Sequence, residues 1–151
     1  MQTPGYVAVN QYRMHDMRLI PLDGHPHLPQ NAREWVGDSR GHWEGNTLVV
    51  ESTNFNGKSD SHGLLRGAGA NLHLTERYTR TGADTIDYTA TIEDPTVWTK
   101  PWTIRNPLRR DNDGFYEYGC HEGNHAMTGI LSGARADEKK PLIRAVRSEL
   151  A

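Results

Sequence analysis

Through most of this chain, apolar and polar residues alternate, which marks strands with one buried face. Tyr6–Tyr12, Arg18–Leu22 and Asn46–Phe55 are three such segments. The clearest unit follows. Leu72, Leu74, Glu76 and Tyr78 share one face of a strand, and Ile86, Tyr88, Ala90 and Ile92 share one face of the next. Same-face pairing matches Tyr78 with Ile86, Glu76 with Tyr88, Leu74 with Ala90 and Leu72 with Ile92. The loop then has three residues, Thr81-Gly82-Ala83, or five. Trp102–Arg110 reads as a further strand with Trp102, Ile104, Asn106 and Leu108 on one face, and Phe115–Cys120 as another after a DNDG turn. The stretches 23–45 and 56–71 are crowded with Gly, Asp and His and read as loops. One segment is helical: between His125 and Lys140, Met127, Ile130, Leu131 and Ala134 fall at i, i+3, i+4 and i+7, weakened by Gly129 and Gly133 and ended by Pro141.

The predicted fold is therefore all-β and antiparallel, a small β-barrel or curled sheet, lipocalin-like in shape, with one short C-terminal helix. Residues 1–140 form a single β-rich domain and 141–151 a C-terminal tail. The 15 glycines and 8 prolines suit this many turns.

Charge and composition narrow the function classes. The formal net charge is −2 and no basic run exceeds two residues, which argues against a nucleic-acid groove. No apolar stretch approaches the roughly 18 residues of a membrane span. Cys120 is the only cysteine, so there is no internal disulfide, and it reads as a buried inert thiol. The N-terminal residues lack a basic and apolar leader pattern and run almost directly into a strand, as expected for the later part of a longer precursor or for an engineered chain.

Eight histidines exceed the roughly 2% typical of proteins. His121-Glu122-Gly123-Asn124-His125 is a literal H-E-x-x-H, which on a helix would set two imidazoles on one face with the glutamate as base. Gly123 is a poor helix-interior residue, and the motif directly follows a strand. His25 and His27 form an H-x-H pair around Pro26. No cofactor is favoured. A divalent metal, if present, would draw on His121, His125, His25 and His27.

The most informative acid is Glu76, which interrupts an apolar face. A carboxylate in an apolar lining can serve as a general acid or base near neutral pH; the alternative is a structural carboxylate bonded to Tyr88 or an arginine. His121 and Glu122 form a second acid–base pair, and His15, beside Asp16, is a further candidate base. Arg40 and Trp43, in the Gly37–Gly45 loop, together with Tyr88, Asn106 and Trp102, are the candidate substrate-binding residues.

Several phrases occur here together: QTPGYV, HDMRLIPLDG, WVGDSRGHWEGNTLVVESTNF, NLHLTERYTRTGADTIDYTATIEDPTVWTKPW and YEYGCHEGNHAMTGILSGARA. On these, from Gln2 to Lys140, the chain resembles the C-terminal region of a large family of uncharacterised secreted bacterial proteins with WEGDTLVV and YEYACHEGN motifs. The resemblance implies a periplasmic or extracellular setting and no particular reaction. The family pattern has HEGNY and GRPHLP where this chain has His125 and His25, so both second histidines are local features and the zinc-protease reading recedes.

The expectation is a small β-barrel enzyme performing acid–base chemistry (hydrolysis, elimination or isomerisation) on a polar small molecule or saccharide. Its catalytic groups would be Glu76, His121, Glu122 and His15. The alternatives are a non-catalytic, lipocalin-like ligand-binding protein and a metal-dependent enzyme using the histidine cluster.

Overall fold

The computed structural model describes residues 1–11, 16–58, 68–114, 119 and 122–139. The chain divides into two compact units, Met1–Tyr116 and Glu117–Ala151. The first unit is antiparallel β in two sheets. The smaller has the order β1-β2-β3, from Gln2–Thr3, Tyr6–Gln11 and Asp16–Pro21; the larger runs β4-β5-β6-β7-β8, from Asp38–Glu44, Thr47–Thr53, His73–Arg80, Thr85–Glu93 and Trp102–Arg109. Its outer strands β4 and β8 do not pair, so the sheet stays open and is not closed into a barrel. The second unit holds the one helix among the described residues, α1, Ala126–Glu138, with Met127, Ile130 and Leu131 exposed.

Cross-strand register sorts the larger sheet into rows on its core face. One row is Gly41, Val50, Glu76, Ala90 and Ile104; the next is Trp43, Leu48, Tyr78, Tyr88 and Asn106; the last is Arg80, Ile86 and Leu108. Val7, Val9, Ile20 and Leu22 of the smaller sheet's side pack with Leu48, Val50 and Tyr78. Gly41 permits this approach, because a Cβ there would stand 2.7 Å from Ile20 Cγ2 and 2.9 Å from Leu22 Cδ2. A second cluster joins Leu72, Leu74, Ala90 and Ile92 to Phe55, Trp98, Trp102 and Ile104.

Two expectations are corrected. Asp38–Glu44 lies in the stretch read as a loop, yet it is strand β4. Glu44 pairs with Thr47 across Gly45-Asn46, a two-residue hairpin turn in which Gly45 takes φ +59°. The polar composition of β4 hid it: Asp38, Arg40, His42 and Glu44 occupy the face away from the core. The β6–β7 register is shifted by two residues, with Tyr78 opposite Tyr88, Glu76 opposite Ala90 and Leu74 opposite Ile92. A two-residue shift keeps every side chain on its face, so the apolar pattern cannot detect it. The turn sets it: Thr85 O accepts from the N–H groups of Thr81 and Gly82 at 3.1 and 3.3 Å. The strand expected over Phe115–Cys120 lies outside the described residues, Gly119 excepted.

Candidate functional site

Strand alternation places Glu76 and Tyr78 on the core face of β6, with Tyr88 opposite Tyr78 on β7. Arg18, on the β3 face that also carries Ile20, reaches the same point from the smaller sheet. Its Nη1 lies 2.6 Å from Glu76 Oε2, with side chains only 9% and 5% exposed. Both tyrosine hydroxyls donate to Glu76 Oε1 at 2.9 Å, and Arg18 Nη2 donates to the Tyr78 hydroxyl at 3.2 Å. Burial raises the pKa of both tyrosines and the Glu76 charge raises them further. Burial works to lower that of Arg18, but the attraction and hydrogen bond of Glu76 outweigh it and the net shift is upward. The result is a charge-balanced network in which the carboxylate faces three donors that keep their protons.

Tyr88 and Asn106 are direct cross-strand neighbours on the core face, with Ile104 and Trp102 further along β8. Trp102 sits edge-on to Trp98, ring centroids 5.5 Å apart, and its Nε1–H is buried with no partner among the described residues. Asn106, Ile86 and Leu108 are exposed, and Tyr88, Ile104 and Trp102 half-buried. The structure thus brings Tyr88, Asn106 and Trp102 together on one face.

It does not bring Arg40 and Trp43 to them. Both stand on β4, at the opposite edge of the sheet, roughly 14 Å from β7 and roughly 19 Å from β8 at ~4.8 Å per strand. Trp43 shares the core face, but Arg40 lies on the other face, 3.3 Å from Asp38 and 3.8 Å from Asp23. Asp38 is a buried anchor. Its Oδ2 accepts from the Leu28 N–H and bonds His27 Nδ1, both at 2.9 Å. Burial works to raise its pKa; the Leu28 and His27 hydrogen bonds and the Arg40 charge outweigh this and hold it below the usual value. Asn54, in the left-handed region at φ 58°, completes the anchor by donating to Leu28 O at 2.7 Å.

Among the described residues the histidine motifs form no metal site. Glu122 and Gly123 form a turn with Gly123 at φ +69°, and His125 is the N-cap of α1, so no helix carries both ends of the H-E-x-x-H. His121 lies outside the described residues, as do His15 and Cys120. His25 is exposed, with its backbone N–H bonded to Asp23. Among the described residues no group of three His, Cys, Asp or Glu side chains could hold a metal ion.

Arg18 and Tyr78 were not singled out from sequence. The signal for Arg18 was its alternation with Ile20, which puts a cation on a core-facing position of β3. No family model matches the chain, and no curated protein or solved structure does.

Proposed function

We propose that this chain is a ligand-binding β-module that takes a saccharide, or a similar polar ring compound, on the uncovered β7–β8 part of its core face. The observation that carries this reading is the uneven cover of the larger sheet. The smaller sheet packs over β5 and β6, whereas Tyr88, Ile104 and Asn106 on β7 and β8 remain partly or fully exposed. Aromatic and apolar surface with a few directed polar groups is the usual composition of a small-molecule site. Trp102, packed edge-on to Trp98, closes the covered end of this face and leaves Tyr88, Ile104 and Asn106 as its open part. Asn106 adds both a donor and an acceptor.

Acid–base turnover of the same ligand class is the competing reading. It draws on Tyr88, whose hydroxyl joins Glu76 to the edge of the open face. The raised Tyr88 pKa keeps that proton in place, and the Arg18 guanidinium, 2.6 Å from Glu76 Oε2, occupies the side of the carboxylate that a substrate would need. Binding without turnover is favoured. The resemblance to secreted bacterial proteins supports an extracytoplasmic setting.

The test is two-dimensional NMR titration of the labelled chain with a panel of mono- and oligosaccharides. The Asn106 side-chain amide and the backbone amides of residues 86–90 and 104–108 are expected to shift together. Asn106→Ala should weaken binding about tenfold, the loss of one directed hydrogen bond. No shift in these resonances at millimolar ligand would overturn the reading, and product formation would favour the enzymatic alternative.

A further inference from the structure

The open face does not end at Asn106. Its next row is Arg80, Ile86 and Leu108, and these residues line a cavity of about 250 Å³ at the tip of the β6–β7 hairpin. The floor is apolar, with Ile86 and Leu108 paired across strands and 37% and 38% exposed. The rim is cationic: Arg80, Arg109 and Arg110 also line the cavity, against the single carboxylate of Asp84.

The Arg80 guanidinium is held rigidly, because Nε donates to Gly82 O at 3.1 Å and Nη2 to Ala83 O at 2.9 Å. Carbonyl oxygens fix the group without neutralising it. Arg110 approaches Asp84 only at 3.7 Å, with both side chains largely exposed, so this pair is loose. The row lies two residues, roughly 7 Å, along the strands from Tyr88 and Asn106. A sugar ring resting on Tyr88 and Asn106 would project a ring substituent toward the guanidinium groups.

Resting on the saccharide reading above, we infer that the ligand is an acidic sugar whose carboxylate binds at Arg80 in this cavity. A planar guanidinium fork matches a carboxylate, and such charge-assisted bonds are the stronger kind. The apolar floor of Ile86 and Leu108 lowers the polarity around that ion pair, and Arg110 adds a cation that its loose pairing leaves free to turn toward the ligand.

The experiment compares glucuronate with glucose by NMR titration at low and high salt, using wild type, Arg80→Gln and Leu108→Glu. Wild type should bind glucuronate about tenfold more tightly than glucose, with the advantage shrinking at high salt. Both variants should lose the advantage while keeping the glucose affinity. Leu108→Glu leaves the hairpin-capping bonds of Arg80 in place, so it decides the matter if Arg80→Gln unfolds. Equal binding of both sugars at Tyr88 and Asn106 would overturn the anionic ligand and leave the saccharide reading standing. So would an advantage that survives Leu108→Glu. Binding of neither sugar would overturn both.

Discussion

Replacing Glu76 with glutamine tests whether the buried network is a structural tie. The substitution keeps size and shape and removes one charge. The amide oxygen can still accept from Tyr78 and Tyr88, but the amide nitrogen then faces Arg18 Nη1, where the two groups now stand 2.6 Å apart. Two donors would meet, and turning the amide around instead takes the acceptor away from both tyrosines. Either way Arg18 keeps its charge in a site 8% exposed and loses its counter-ion. Removing one partner of a buried ion pair costs about 3–5 kcal/mol. At the ~2–4 °C per kcal/mol typical of this chain length, Tm should fall by roughly 10 °C. Urea unfolding with linear extrapolation should give the same loss. Arg18→Met combined with Glu76→Gln removes the stranded cation and should recover most of it. A Tm shift below about 2 °C for the single variant, a small fraction of the expected loss, or no recovery in the double variant, would refute the argument.

Three further outcomes follow from other parts of the molecule. Asp38 has a folded pKa below its unfolded value of 3.8, so its contribution is complete well above that value and is lost as pH falls through the folded pKa. The stability gap between wild type and Asp38→Asn should be constant near neutrality and close below about pH 4, measured by urea unfolding across pH. Gly41→Ala should cost about 1–3 kcal/mol, because the added methyl meets Ile20 and Leu22, and the midpoint of thermal unfolding reads it. Gly129→Ala should have the opposite sign: nothing lies within 4 Å of a Cβ there, and helix propensity alone predicts a gain of about 1 kcal/mol, read as slower amide exchange in α1.

Much of this fold was legible because alternation is a strong signal where strands bury one face. It placed Glu76, Tyr78 and Tyr88 on one face of the hairpin and Trp102 and Asn106 on one face of their own strand; that the two faces adjoin is shown only by the β7–β8 pairing. It failed at Asp38–Glu44, whose outward face is charged and whose inward face carries Ser39, Gly41 and Trp43, so no apolar rhythm remains. There the readable clue was Gly45-Asn46, a hairpin turn that needs a strand on each side. The partner of Glu76 was not legible for a different reason. Nothing local in β6 says which distant cation will meet it, since Arg18 arrives from another sheet. Arg40 and Trp43 were grouped by closeness in sequence, and a strand sends such neighbours apart.

An ion pair in this position stabilises little compared with an apolar replacement of both partners, so its presence calls for another reason. Strand β3 supplies one. Met17 and Leu19 face outward, 61% and 54% exposed, while Ile20 is fully buried on the other side. Both faces of β3 are therefore apolar, and hydrophobic burial alone chooses poorly between them. A slip of one residue would turn Met17 and Leu19 inward at modest cost in buried area. It would also carry Arg18 out to solvent and leave Glu76 buried without a counter-ion, a penalty of several kcal/mol. The pair thus selects the native seating of the smaller sheet, and with it where cover stops and the open β7–β8 face begins. Arg18→Met with Glu76→Gln should accordingly be close to wild type in stability but lose the single register. Doubled amide resonances for residues 6–11 and 17–22 are expected in its NMR spectrum. One sharp set at wild-type positions would show that packing alone seats β3, and that the charged tie has no part in defining the face.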